Sequence, residues 1–242
     1  MKKIAFIIFL SIAFSACKDA CDCFKGTGEV ATEIRSTGTI KSVDLGSNVD
    51  LVIHRDSITR IRVTAGSHLL DKITTVNEAG VLKIRNTNKC NWVRHFDPVL
   101  IVDIWVPTLS GIFVENACGD ITFSDTLPVS DFRFDSFSSG GDYRVKVNGE
   151  SATLAIHNGP ANLVAEGTVG NLYLYGVGYG KMDCQNLVST NGYIGHHGSN
   201  SYYVNSTAIL EATISGSGNV YYKGNPSIIK KTETASGKLI HL

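Results

Sequence analysis

Glycine returns along the second half of this chain at an almost constant step. Gly119, Gly140, Gly159, Gly178, Gly198 and Gly218 are separated by 21, 19, 19, 20 and 20 residues. Apolar residues keep pace with them. Val114, Phe134, Leu154, Leu174, Ile194 and Ile214 fall 20 apart, and Ile112, Phe132, Ala152, Leu172, Gly192 and Ala212 form a second column two residues earlier. Self-similarity at a fixed period of this size marks a stack of like units, none of which can bury its apolar face alone. Inside each unit the apolar residues alternate, as in Leu154/Ile156 and Leu172/Leu174, which is the period of a strand with one face buried. Turn signals punctuate the units at Asn158-Gly159-Pro160, Asn191-Gly192 and Ser215–Asn219. A 20-residue unit holds two or three short strands plus corners, the size of one coil of a β-helix and too short for a propeller blade of roughly 40–50 residues. The fold class is therefore all-β, a parallel β-helix of about 20 residues per coil. Its coils, about 4.8 Å apart, should align the first column into an internal ladder. Phe123, Tyr143 and Leu163, continued with one residue of slack by Met182, Tyr202 and Tyr222, should form another. Asn158, Asn162, Asn191, Asn200 and Asn219 fall at corners, where stacked amides bond along the axis.

The first half is strand-rich but irregular. Val49–Ile53, Ile61–Val63, Val81–Ile84 and Val99–Val106 read as strands, Glu78-Ala79-Gly80 as a hairpin connection, and Ser67–Lys72 as the one stretch able to hold a helical turn. No linker separates the halves, so residues 28–226 are expected to form one domain, with regular coils from about 108 and a tail at 227–242 that either folds back as a cap or stays loose.

Residues 1–16 read as a leader. Lys2-Lys3 precedes the apolar run Ile4–Phe14, which is too short to remain as a membrane span, and small residues lead directly to Cys17. Phe14-Ser15-Ala16-Cys17 resembles the lipobox of a bacterial lipoprotein. That resemblance implies cleavage before Cys17, lipidation of its thiol and acylation of the new N-terminus, with 17–27 as the tether. A multi-chain anchor of this kind holds a protein stably at a membrane. The expected place is the cell envelope, lipid-anchored at the outer membrane, with the side left open. Without Lys2 and Lys3 the chain carries 20 basic against 22 acidic residues. This balance, with no basic cluster, excludes a nucleic-acid surface. In an exported chain the five remaining cysteines are candidates for disulfides. Cys21, Cys23 and Cys90 are the candidate set, one of the first two reaching Cys90, while Cys118 and Cys184 read equally well as small buried coil residues.

Few residues point to chemistry. His196 and His197 are adjacent, so in a strand they face opposite ways and cannot share a metal; the 20-residue step puts both at a corner, as solvated turn residues. Ser215-Gly-Ser-Gly lacks the frame of a nucleophile elbow and the helix that would follow it. Asp120 and Asp142 follow glycines, where aspartate bonds the turn backbone, and no acidic cluster emerges for glycoside cleavage. No catalytic residue, metal site or cofactor is expected. Tyr173 and Tyr175 alternate with inward Leu172 and Leu174 and should face outward, with Tyr179, Tyr193 and Tyr203 or Tyr221 as neighbours. Outward tyrosines are good strand formers; they also supply rigid area with a hydroxyl, suited to stacking on sugar or to protein contact.

Ile214-Ser-Gly-Ser-Gly-Asn-Val-Tyr-Tyr-Lys-Gly-Asn-Pro226 resembles the terminal repeat of the family described as a putative auto-transporter adhesin, head GIN domain. Ser47–Ile53, Ser67–Ile73 with Gly80–Ile84, and Val106-Pro107-Thr108-Leu109 resemble its earlier parts, about 34–226 in all. The resemblance implies a right-handed parallel β-helix likened to pectin-lyase-type folds but without catalytic residues, secreted or lipid-anchored, and adhesive or scaffolding. The leading expectation is a lipid-anchored envelope protein binding a glycan, or an envelope or host protein, through a coil face that includes Tyr173 and Tyr175. The alternatives are a polysaccharide-acting enzyme on the same fold, and a purely structural protein that assembles through its coil ends.

Overall fold

The computed structural model describes residues 26–89 and 99–242. Their strands join one continuous sheet that winds into a β-solenoid of about seven turns. Its first section contains β1 (Val30–Arg35), β2 (Ser42–Leu45), β3 (Asp50–Arg55), β4 (Arg60–Gly66), a 3-10 turn at Leu70–Lys72, β5 (Ile73–Glu78), β6 (Val81–Asn86), β7 (Leu100–Val106), β8 (Gly111–Glu115) and β9 (Ile121–Phe123). The regular section contains β10 (Leu127–Phe137), β11 (Asp142–Ile156), β12 (Asn162–Gly178), β13 (Lys181–Gly198) and β14 (Tyr202–Ile214). The last turn contains β15 (Val220–Lys223), β16 (Ile228–Glu233) and β17 (Leu239–His241).

The sequence predicts two or three short strands per coil. Instead, β11, β12 and β13 each make most of a turn as one strand of 15, 17 and 18 residues. Parallel hydrogen bonds to both neighbours carry the strand around two bends, with register slips such as that between Val164 and Glu166 absorbing the curvature. Only the glycine corner interrupts it. At Gly159 the backbone has φ +97°, and a Cβ would run into the Ser139 carbonyl oxygen of the turn before; at Gly216 it would run into the Gly198 carbonyl. Close approach of successive backbones thus calls for glycine at Gly119, Gly159, Gly198 and Gly218, and the positive φ of +92° calls for it at Gly178. Side chains bond along the axis beside it. Asn158 accepts from the Ser138 N–H at 2.6 Å and donates to the Ser138 hydroxyl at 2.9 Å, and Asn191 donates to Asn171 at 3.0 Å.

The internal ladders are present with altered ends. Phe134, Leu154, Leu174 and Ile194 register directly, but Phe134 lies on Ile112 rather than Val114, and Ile194 on Ala212 rather than Ile214. In the other ladder Tyr143, Leu163, Met182 and Tyr202 hold, with Ile121 replacing Phe123 at one end and Val220 replacing Tyr222 at the other. The end turns deviate from 20 residues by two. A two-residue slip preserves which side chains point inward while changing their partners, so every member of the first column is still buried.

The first section is ordered differently in space than in sequence. β2 lies between β6 and β8, and β3 between β7 and β9, all parallel. The turn built from β2 and β3 is thus inserted between one formed later and the next. Beyond it, β5 covers β6, β4 covers β7 and β1 covers β4, all antiparallel. The Ala79-Gly80 hairpin turn has positive φ at both residues, as the sequence reading requires. Residues 227–242 fold back and add a final turn, because β16 pairs with β14 and β17 with β15. Two of its inward positions are charged, beside the apolar Ile229 and Leu239, which register on buried Leu210 and Val220. Lys231 and Glu233 register on buried Ala212 and Ile214; Glu233 contacts Lys231 and Lys238 at 3.2 Å and accepts the Leu239 N–H at 3.0 Å.

Candidate functional site

One side of the solenoid carries β2, β8, the C-terminal parts of β10 to β14, and β16. Its inward positions are the apolar ladder, so its outward positions are fixed by strand alternation. Those positions are aromatic over five successive turns. Phe113 contacts Phe137 at 5.2 Å between centroids; Phe137 stacks on His157 at 4.0 Å and 4°; His157 meets Tyr175 at 5.5 Å; Tyr175 meets His197 at 5.4 Å. In the adjoining row Tyr173 stacks on Tyr193 at 5.0 Å and 13°. Phe113, Tyr173 and Tyr175 are 40 %, 45 % and 39 % exposed. At its lower end the stripe meets a groove of about 290 Å³ bordered by Val81, Phe113, Arg133 and Asp135.

Two charged clusters on this side are internally paired. Asp135, almost fully covered, accepts from Arg133 and from His157 Nε2 at 2.8 Å. Burial alone would raise the Asp135 carboxyl, but the hydrogen bonds from Arg133 and His157 outweigh it and hold it below the usual carboxylate range. An ionised acceptor fixes the His157 proton on Nε2. Farther up, Lys230 meets Glu211 at 2.5 Å.

Tyr173 and Tyr175 lie side by side on this face. Tyr193 joins them, whereas Tyr203 and Tyr221 form a separate stack on another side and Tyr179 stands exposed at the glycine corner. The two histidines differ from their expected solvated corner. His196 is fully buried, registers on Ile214, donates Nε2 to the Asn200 carbonyl at 2.7 Å and packs edge-on to Tyr202. His197 faces outward, its Nδ1 bonded to the Ser215 hydroxyl at 2.5 Å. The shortened β13–β14 step moved both off the predicted corner. Phe113, Phe137, His157 and His197 were missed because the contacts between rings zigzag between two outward rows. The available signal was an outward aromatic in every turn, not a constant step.

Elsewhere, several carboxylates are engaged. Asp50 accepts the Asp120 N–H and Asp120 accepts the Asp142 N–H, each at 2.8 Å, while Asp142 accepts from the Asn162 amide at 2.9 Å. This acidic column lies on successive turns, which the sequence reading did not anticipate, since Asp50 lies outside the repeat. Asp103 accepts from His54 at 2.8 Å and Arg62 at 3.1 Å. Among the described residues no group of three histidine, cysteine or acidic side chains converges as a metal site. Cys184 is buried, and burial pushes its thiol up; Cys118 is exposed, contrary to its reading as a buried coil residue. Cys17, Cys21, Cys23 and Cys90 lie outside the described residues.

The family model described as "putative auto-transporter adhesin, head GIN domain" matches residues 39–226. The chain belongs to this family. Solved structures share the head GIN fold. A "putative adhesin" from Bacteroides fragilis matches with TM-score 0.80 at 19 % identity, over 88 % of this chain and 97 % of that one. A "putative lipid binding protein" from Parabacteroides distasonis gives 0.68 at 19 %, over 90 % and 98 %. A "putative adhesin" from Parabacteroides merdae gives 0.63 at 16 %, over 90 % and 98 %. No curated protein matches the chain. Membership of an adhesin-like family points to a cell-envelope or surface protein.

Proposed function

We propose that this protein is a lipid-anchored adhesin of the cell envelope that binds without catalysis, through the aromatic side bearing Tyr173 and Tyr175. The observation that supports this is the outward aromatic stripe running over five turns, with Asp135 beneath it held by partners. Glycoside hydrolysis of the usual kind needs a pair of carboxylates flanking the scissile bond. Here Asp135 is bound by Arg133 and His157, and the Asp50–Asp120–Asp142 column is spent on bonds to the next turn. The anchor is Cys17, and the outer membrane is its expected site.

Two measurements test the reading. Full-length protein should fractionate with membranes and carry a lipid mass on its N-terminal peptide, and Cys17→Ser should shift it to the soluble fraction. Membrane retention of that variant without lipid would refute the anchor. Replacing Tyr173 and Tyr175 together by alanine should reduce adhesion to envelope protein or glycan surfaces by about tenfold, since 1.4 kcal/mol is tenfold in affinity. Undiminished adhesion by a folded double variant would place the binding surface elsewhere.

A further inference from the structure

The other side of the solenoid begins with β1, β4, β7, β3 and β9 and continues through the N-terminal parts of β11 to β14. It backs onto the aromatic side across the core, where Phe134 packs on Tyr143 at 5.1 Å and Phe123 on Phe132 at 5.9 Å. In β4, Ile61, Val63 and Ala65 are buried, so Arg60, Arg62 and Thr64 point outward. The register sets Ile34 of β1 and Asp103 of β7 on either side of Arg62, Trp105 beside Arg60, and Val30 beside Gly66. The Thr32 and Thr64 hydroxyls, 3.2 Å apart, show that β1 and β4 share this outward face. Val30 and Ile34 are 63 % and 75 % exposed, and Val99, just before β7, is exposed too. Trp105 stacks on His54 at 4.5 Å and 10°, with the Arg60 and Arg62 guanidiniums 4.4 and 5.0 Å from its centroid.

The acids around these residues are accounted for. Asp56 pairs with Arg60 and Asp103 with Arg62, each at 3.1 Å, and both arginines stay half-exposed. Asp50 and Asp120 belong to the column bonded from turn to turn, and Asp125 accepts the Arg55 N–H. Glu29 and Glu33 have the opposite parity to Val30 and Ile34, and Glu33 pairs with Arg35. The chain preceding β1 crosses this same face. Alternation points Gly66 outward, and a Cβ there would lie 2.2 Å from the Thr27 carbonyl oxygen, which accepts the His68 N–H at 3.1 Å. The tether thus leaves from this side. Nine residue steps separate Gly26 from Cys17, a reach of at most about 30 Å.

We propose that this face rests on the headgroup surface of the bilayer that holds the Cys17 lipid. Val30, Ile34 and Val99 enter the interface, Trp105 lies at headgroup depth, and Arg60 and Arg62 donate to lipid phosphates. Tryptophan and arginine beside apolar side chains suit this boundary, where one end of each side chain is dry and the other wet. A guanidinium also matches a phosphate with two parallel N–H bonds. The lipid chains hold the protein to the membrane; the face sets its orientation. With this side down, the aromatic side points away from the bilayer. The inference rests on the reading of Cys17 as the anchor and adds the surface that meets the lipid.

The test uses the full lipidated chain in vesicles of phosphatidylethanolamine and phosphatidylglycerol, with and without bromine on the acyl chains. Trp92→Phe leaves Trp105 as the single tryptophan. Its emission should shift to the blue in vesicles and lose most of its intensity to the brominated lipid. A chain with Trp92→Phe, Trp105→Phe and Tyr173→Trp, reporting from the opposite side, should keep its emission. Val30→Asp with Ile34→Asp should abolish most of the Trp105 quenching while the chain still floats with the vesicles, and circular dichroism melts establish that the variants fold. The face is overturned if a floating chain shows Trp105 unquenched, if position 173 is quenched equally, or if the folded double variant is quenched as before. In each of those cases the anchor stands. A chain that carries no lipid and does not float overturns the anchor and this face with it.

Discussion

The two sections of this solenoid reach the same cross-section by different routes. From β10 to β14 each turn is essentially one strand, its partners are its neighbours about 20 residues away, and a single glycine corner resets it. From β1 to β9 the turns are assembled from separate short strands, and partners such as Val43 and Ile112, or Leu51 and Ile121, are about 70 residues apart. The regular section behaves as a one-dimensional stack whose stability is a sum of neighbour terms. The first section depends on long loops closing correctly. It also supplies the antiparallel cover for one end, whereas the other end is closed by charge.

The largest effect that separates the two should come from the stack interior. Phe134 is fully buried and packs on Tyr143 at 5.1 Å. Phe134→Ala should cost about 3–5 kcal/mol, measured by denaturant unfolding, with hydrogen exchange rising first in β10 and β11 and the β4–β7 pairing remaining protected. Equal loss of protection in both sections would mean they form one cooperative unit. A smaller effect is expected at the junction. A Cβ on Gly119 would run into the Val49 carbonyl oxygen, so Gly119→Val should cost about 1–3 kcal/mol and loosen β3 and β9 while β12 and β13 keep their protection. An unchanged melt would show that the junction is slack.

The smallest effect lies at the charged end. The backbone N–H of Leu239, with Lys231 and Lys238, brings the Glu233 carboxyl down to about 2 from its ordinary 4.5. A carboxyl with a lowered folded-state value stabilises above its unfolded value and loses that contribution as pH falls through the folded one. Protection of β16 and β17 should therefore decline between about pH 4.5 and pH 2. Glu233→Gln should remove that dependence. If the variant's last turn still melts with the same pH profile, other carboxyls hold it.

The regular section was legible because its contacts are local and repetitive. Leu154, Leu174 and Ile194 could be aligned by counting, and parity then placed Tyr173 and Tyr175 outside. Counting failed where a turn gained or lost two residues, which moved His196 from an imagined solvated corner into the core. The insertion of β2 and β3 was not legible at all. Alternation shows that Leu51 and Ile53 face inward; it carries no information about which strands lie on either side. The binding face was half legible for a related reason. The tyrosine pair stands out within one strand, but the rings that continue the stripe, Phe113, Phe137, His157 and His197, come from four other turns.

That inserted turn also sets the order in which the chain can fold. β2 and β3 emerge early, yet neither is paired on both edges until residues 111–123 are present. Loop closure over such distances is entropically costly and slow relative to local pairing. As the chain is made from its N-terminus, the first section therefore waits, with unpaired edges, for β8 and β9 to arrive. The regular turns that follow each add to a template already formed. The expected slow event is the closing of β2 and β3 between β6, β7, β8 and β9, with each later turn an elongation.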